Sequence, residues 1–348
     1  MTVLKRANVL ATVAWSVDPQ QPALLAAGSV AGTIDAGFDA SSKLELYSAT
    51  ANTTSSELSR VACVDASDKF HRLAWGRLGR ADLPGGIIAG AHPNGSVSLW
   101  DPAAMLSGDN TLKPLISMAA SHSGPVNTVD FNPISQNLLA SGSVSSEVLI
   151  WNLDNVSQPS VYFIGSRPQQ QAQSQAQPDV TEVSWNRKVP HILASALHSG
   201  TIAIWDLKQK KSVISFSDPN GKLRGCKALH WSPVEATKLA TGSEGDDSPV
   251  IQLWDLRNTY APVKTLQGHE RGIWSLSWSA HDPALLLSCG KDDKVLCWNM
   301  DSATLVSEVD RSAEGSPNNW TFDVTWSPCL PAVALSCSLE GSIKVHNL

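Results

Sequence analysis

The chain of 348 residues is predicted to be all-β, a seven-bladed β-propeller closed into a ring by its own N-terminal strand. Three observations predict it. Two strand motifs alternate along the whole chain at a spacing near fifty residues, and periods of this size mark repeat arrays. Thirteen tryptophans, against three tyrosines and six phenylalanines, fall mostly on those motifs. The last repeat lacks a fourth strand, while a strand-like segment stands unclaimed at the N-terminus.

The first motif is an apolar residue, any residue, an aromatic and a small polar residue. It reads VAWS at 13–16, LAWG at 73–76, VDFN at 129–132, VSWN at 183–186, LHWS at 229–232, LSWS at 276–279 and VTWS at 324–327. Its aromatics are Trp15, Trp75, Phe131, Trp185, Trp231, Trp278 and Trp326, separated by 46 to 60 residues. The second motif alternates apolar residues before an aromatic. It appears as SVSLWD (96–101), EVLIWNL (147–153), TIAIWDL (201–207), VIQLWDL (250–256) and KVLCWNM (294–300), with KLELYS (43–48) and SIKVHNL (342–348) as worn outer copies. Between the two lies a small-residue strand such as LLAAGS (24–29) or LLASGS (138–143), and after them a less regular fourth such as SVISFS (212–217).

Four strands per unit make a propeller blade. One blade cannot bury both faces of its sheet, and seven packed around an axis can. A β-sandwich requires no fixed fifty-residue period, and the 3.6-residue spacing of an α-solenoid is absent. No convincing helix is expected anywhere. The seventh unit has strands near 320–326, 332–336 and 342–347 and then reaches Leu348. Thr2–Arg6 precede the first unit and are expected to pair onto the seventh blade as its outer strand, covering a bare edge. Residues 1–348 thus read as one propeller. The Gln-rich stretch at 165–179, with PQQQAQSQAQP at its centre, lacks any apolar period and is expected to be a surface loop between blades three and four.

Composition narrows the function. A net charge of −6 does not suit a nucleic-acid reader, which wants an excess of lysine and arginine. The opening MTVLKRANVLATVAW alternates like a strand and does not read as a signal peptide, and no run approaches 18 apolar residues. The six cysteines form no C-x-x-C pair, and four lie in apolar strands as small hydrophobes; a cytosolic compartment follows. The nine histidines show no metal spacing, and His230 reads as a packed residue. Neither a metal nor a cofactor is expected.

His269, Ser288 and Asp292 superficially suggest a nucleophilic triad. In GHERGIWSLSW…LLLSCGKDDKVLCW they stand instead where WD repeats carry a structural tetrad, completed by Trp298. Such a chain satisfies buried polar groups, and losing the aspartate leaves a partner unpaired at roughly 1–3 kcal/mol. Blade three has His122, Ser141 and Trp151 with Ser145 in the acid's place; blade four has Ser199 there, and blade seven has Glu340 and His346. These are expected to be degenerate copies held by packing. The innermost strands read mainly as Ala, Val, Ser and Leu, which leaves little for an enzyme at the central channel.

Several stretches are more specific than generic WD repeats. They are ALLAAGSVAGTIDAGFDASSKLELYS (23–48) with Asp35 and Phe38 in its long turn, SWNRKVPHILASALHSGTIAIWDLK (184–208), the blade-six stretch 269–299 and NWTFDVTWSPCLPAVALS (319–336). Together they resemble the N-terminal propeller of the larger outer-cage subunit of the COPII vesicle coat, over nearly the whole chain. The resemblance implies a non-catalytic scaffold that meets neighbouring propellers at cage vertices through many weak contacts. It implies a cytoplasmic protein, peripheral at endoplasmic-reticulum exit sites and not inserted in the membrane. Pairing with the smaller WD-repeat outer-coat partner, and an indirect reach to the inner coat and its small GTPase, would belong to family segments that lie after the propeller. The propeller alone is expected to be a folded monomer without rod assembly. A rival reading is a substrate receptor of a cullin-RING ubiquitin ligase, since Trp254, Asp255 and Arg257 fit the W-D-x-R pattern of such receptors.

Overall fold

The computed structural model describes residues 2–31, 41–50, 56–108, 113–118, 121–164, 177–223, 225–309 and 319–348. Within them lie seven four-stranded antiparallel sheets. Six sheets run in chain order from the innermost strand outward: blades one (Ala11–Asp65), two (Arg72–Met118), three (Val126–Phe163), four (Val180–Phe216), five (Cys226–Gln267) and six (Ile273–Val309). The seventh takes its inner three strands from Thr321–Trp326, Val333–Ser338 and Ser342–Asn347, and its outer strand from Thr2–Ala7. The N-terminal strand thus runs one residue further than the sequence indicated. Thr2 pairs with Asn347 and Ala7 with Ile343, with one register shift between Val3 and Lys5.

The second correction is a helical turn at Pro102–Leu106. Asp101 caps it by accepting from the Ala103 N–H at 2.9 Å, and proline occupies the first helical position, where a missing N–H costs nothing. Five residues are too few to show a helical period in sequence.

The core lies between blades. The second and third strands bury almost every side chain, and the aromatics of the first motif are 0 to 7 % exposed. Several motif tryptophans also latch blade to blade. The indole N–H of Trp15 donates to the Thr325 carbonyl (3.2 Å), that of Trp185 to Asp130 (3.0 Å) and that of Trp231 to Ser184 (3.0 Å). Each bond joins the inner strands of neighbouring blades.

The inner strands of blades three to seven each carry one bulged residue without a register partner: Asn127, Thr181, Lys227, Trp274 and Phe322. A bulge re-aims the extra side chain, and here it reaches the next blade. The Asn127 amide donates to the Val180 carbonyl (2.9 Å), the Thr181 hydroxyl donates to the Cys226 carbonyl, and the Lys227 ammonium lies 3.9 Å from the Trp274 ring centre. Trp274 in turn meets Trp320 edge-on, centroids 5.2 Å apart.

Candidate functional site

In blade six the four tetrad residues form one hydrogen-bond chain. The Trp298 indole N–H donates to Ser288 Oγ at 2.8 Å, and Ser288 Oγ lies 2.7 Å from His269 Nε2. His269 Nδ1 sits 3.0 and 3.1 Å from the two Asp292 oxygens. Since the indole can only donate, the Ser288 hydroxyl donates to Nε2 and the histidine donates from Nδ1. Asp292 also accepts the Glu270 N–H at 2.9 Å and the Lys294 N–H at 3.3 Å. Burial opposes its ionisation, but His269 and these amides outweigh it and hold the carboxyl below its usual range. Ser288 is wholly buried, and its hydroxyl is committed on both sides, so no attacking oxygen is presented.

Blade three is not the degenerate copy that its sequence suggests. Glu147 supplies the acid: its carboxylate lies 3.0 Å from His122 Nδ1 and accepts the Ser123 N–H at 3.0 Å. His122 Nε2 meets Ser141 Oγ at 2.6 Å, and Trp151 donates to the same oxygen at 2.7 Å. Ser145 and Ser146 both take positive φ, 55° and 58°, and the turn brings the longer glutamate back to the histidine. The signal available in sequence was the Glu at the start of EVLIWNL, two residues beyond the expected position at Ser145. Glu147→Ala is therefore expected to cost about 1–3 kcal/mol, whereas Ser145→Ala stays within about 0.5 kcal/mol; urea unfolding of the two variants checks this.

The remaining blades keep parts of the device. In blade two His92 Nε2 meets Ser98 Oγ at 2.7 Å, and Trp100 donates to the same hydroxyl at 3.0 Å. The serine there comes from the third strand because Gly90 occupies the second, facing Phe70 where a Cβ would clash at 2.5 Å. Blades four and five retain Trp205 with Ser195 (2.9 Å) and Trp254 with Thr241 (3.0 Å). In blade four Ser199 meets Thr201 and no histidine. In blade seven His346 takes the tryptophan's place against Ser336 at 2.7 Å, and the Glu340 backbone N–H donates to Asn319.

The axial channel overturns the expectation of an apolar, small-residue lining. A cavity of about 440 Å³ is lined by Arg72, Arg77, Asp130, Glu182, Arg187, His230 and Asp323, among apolar and small polar residues. Arg72, Glu182 and Asp323 stand three residues before the motif aromatics and Asp130 and His230 one before, on the strand face that looks at the axis, while Arg77 and Arg187 stand two residues after. Arg72 pairs with Asp323 at 3.0 Å, and Ser275 donates to the same carboxylate at 3.0 Å. Asp130 accepts the Trp185 N–H at 2.8 Å, with Arg187 3.9 Å away. Among the described residues Glu182 accepts only from Thr128, at 2.8 Å. Burial pushes the Glu182 carboxyl up to about 7 and His230 down to about 3.

The other expected site residues divide. Trp254 is buried and Asp255 nearly so, while Arg257 is 70 % exposed at its side chain and folds back onto the Asp255 carboxylate. Asp35 and Phe38 lie outside the described residues, as does the Gln-rich stretch up to residue 176. Among the described residues no group of three or more His, Cys, Asp or Glu has the geometry of a metal centre, and no helix is long and apolar enough to cross a membrane.

The WD domain, G-beta repeat, family matches residues 107–152 and 260–299. These segments hold the inner three strands and the acids of blades three and six, the two blades whose tetrads are complete. The protein transport protein SEC31 of Dictyostelium discoideum is 42 % identical over 374 aligned residues, covering 100 % of this chain and 27 % of its own. Human Sec31A is 36 % identical over 348 residues, covering 99 % of this chain and 27 % of its own. A solved chain from "COPII on membranes, outer coat vertex" is 36 % identical, with a TM-score of 0.79, and is covered over 84 % of its length. The chain belongs to the SEC31 family. Its 348 residues span about a quarter of the length of these curated SEC31 relatives.

Proposed function

We propose that residues 1–348 act as one vertex-forming propeller of the COPII outer coat, a non-catalytic scaffold in transport from the endoplasmic reticulum to the Golgi. The observation that carries this is the 0.79 TM-score to the outer coat vertex chain, with 98 % of this chain aligned. Neighbouring propellers are its direct partners. The smaller WD-repeat outer-coat subunit, the inner coat and the small GTPase are reached through other segments of the SEC31 protein. Its place is cytoplasmic and peripheral at exit sites and coated vesicles. The acidic charge balance, −6 overall, favours protein over nucleic acid as partner.

The polar groups are consistent with a scaffold. Ser288 and Ser141 are locked in tetrads, and in the channel the Ser275 hydroxyl donates to Asp323, itself held by Arg72. None is a hydroxyl with a free base beside it, as nucleophilic catalysis needs.

The test is sedimentation with COPII coats reconstituted on liposomes, using the full-length SEC31 protein with and without this propeller. Coats of the complete protein are expected to close into cages, and those without the propeller to remain open or unlinked at vertices. Equal cage closure would overturn the reading. Purification of a cullin-ligase adaptor with the chain, lost on Arg257→Ala, would replace it with the receptor reading.

A further inference from the structure

Seven charged or titratable groups line the axial cavity, and one of them is left without a charged partner. Asp130, Glu182 and Asp323 bring three carboxylates; Arg72, Arg77 and Arg187 bring three guanidiniums, of which Arg77 is exposed and within ion-pair distance of none of these carboxylates. His230 is neutral there, since burial pushes it far below its ordinary range. Asp323 has Arg72 at 3.0 Å, and Asp130 has Arg187 at 3.9 Å with a backbone N–H besides. Glu182 has one neutral donor, the Thr128 hydroxyl. Among the described residues no cation lies within ion-pair distance of it. A further cation on a facing strand, Lys227, lies over the Trp274 ring. Water reaches these groups, with Asp130 at 21 % and Arg72 at 29 % side-chain exposure, but the inner strands enclose the channel. An unpaired negative charge in such a site is costly.

We propose that the axial channel is a proton-binding site, that the proton resides on the Glu182 carboxyl, and that its loss between mildly acidic and mildly alkaline solution weakens the ring. The inner strands of blades two, three, four and seven all bring a charge to this one space, so its electrostatic balance bears on four blade junctions together. With the proton in place, each ionised carboxylate has its own guanidinium, Asp323 with Arg72 and Asp130 with Arg187. Once it leaves, Arg72 is divided between Asp323 and Glu182, and the pairing that joins blade two to blade seven is diluted.

The direction of the pH effect follows from linkage. The Glu182 carboxyl titrates near 7 in the fold and near 4.5 when free, so the folded chain holds a proton that the unfolded chain has released. The stabilisation is complete below 4.5 and is lost as pH rises through 7. His230 acts oppositely: it is neutral in the fold down to about 3 and takes a proton below 6.5 when free, so it favours the fold as pH rises through that lower window. Between pH 6.5 and 8 the Glu182 effect stands by itself against this histidine. Comparison with Glu182→Gln isolates it at every pH, because His230 is common to both proteins.

The experiment is calorimetric unfolding at pH 5.5 to 8.5 in buffers of different ionisation enthalpy, which counts protons released. At pH 6 the wild-type chain is expected to release nearly one proton more than Glu182→Gln. Its folding equilibrium should fall, relative to the variant, by up to tenfold per pH unit between pH 5.5 and 7 and level off above that. Thr128→Val serves if the glutamine variant fails to fold. Removing the hydroxyl that favours the ionised form should move the titration to higher pH, whereas a purely structural loss would lower stability equally at every pH. Equal proton release by wild type and Glu182→Gln, or a Thr128→Val midpoint that does not move, would overturn the proposal. So would stabilisation at pH 7.5 by potassium or sodium chloride, absent with tetramethylammonium chloride, that disappears in Glu182→Gln: a metal ion would then be the partner of the Glu182 carboxylate.

Discussion

Deleting residues 1–8 is expected to lower the melting temperature by roughly 5–10 °C. The strand Thr2–Ala7 makes five register pairs with Ile343–Asn347. At ~0.5–1.5 kcal/mol per hydrogen bond, its ladder contributes about 3–6 kcal/mol, and each kcal/mol moves the midpoint of a chain this large by roughly 2 °C. The strand does more than cover an edge. The Arg6 N–H donates to the Ser56 carbonyl at 2.9 Å, and the Leu58 N–H donates to the Arg6 carbonyl at 2.8 Å, so it also ties blade seven to blade one. Lys5, although charged, is 4 % exposed. Without the strand, Ser342–Asn347 becomes a bare edge beside the buried Ile343 and Val345, a template for intermolecular pairing. The deleted chain should therefore aggregate on heating, and a synthetic peptide of residues 1–8 should restore part of the midpoint. Val3→Ala and Leu4→Ala serve as controls: these side chains are 37 and 44 % exposed, so each variant should stay within about 0.5 kcal/mol of wild type. Calorimetry decides, and an unchanged midpoint on deletion would show that the ring does not depend on this closure.

The repeat was legible because it is written in two independent marks, the motif aromatic and the alternating strand after it. Both survive in all seven blades, even where His346 stands for a tryptophan. Ring closure was legible from arithmetic alone, a strand short at one end and a strand over at the other. The polar devices were harder to read. A tetrad is a set of atoms at hydrogen-bond distance, and Glu147 reaches His122 from two residues beyond the expected position because its side chain is longer and the turn is left-handed at Ser145 and Ser146. Ser98 replaces a second-strand serine by bonding from the third strand. The channel was missed for a different reason. Arg72, Asp130, Glu182, His230 and Asp323 each stand in a different inner strand, 48 to 93 positions from the next. Each looks like an ordinary strand polar residue until the ring brings five inner strands to one axis.

The second large effect expected is at Asp292. Asp292→Ala should cost about 2–4 kcal/mol, because it leaves the His269 Nδ1–H and the Glu270 N–H without acceptors in a nearly closed site. The side chains of His269 and Asp292 are 1 and 2 % exposed, so water does not readily replace the carboxylate. Asp292→Asn keeps an acceptor oxygen and should lose less. Trp298→Phe removes only the terminal donor to Ser288 and should cost about 1 kcal/mol. The links share one proton order, so the double variant Asp292→Ala with Ser288→Ala should destabilise less than the two singles combined, by about 0.5–3 kcal/mol. Acid titration supplies a second readout. The Asp292 carboxyl is held below its ordinary 3.8, so its contribution is present above that value and is lost as pH falls through the lower folded value. Urea unfolding should therefore separate wild type from Asp292→Asn widely at pH 6 and bring them together toward pH 3. A gap that persists undiminished into acid would mean that the charge of Asp292 carries none of the tetrad's stability, and that shape alone holds blade six to its histidine.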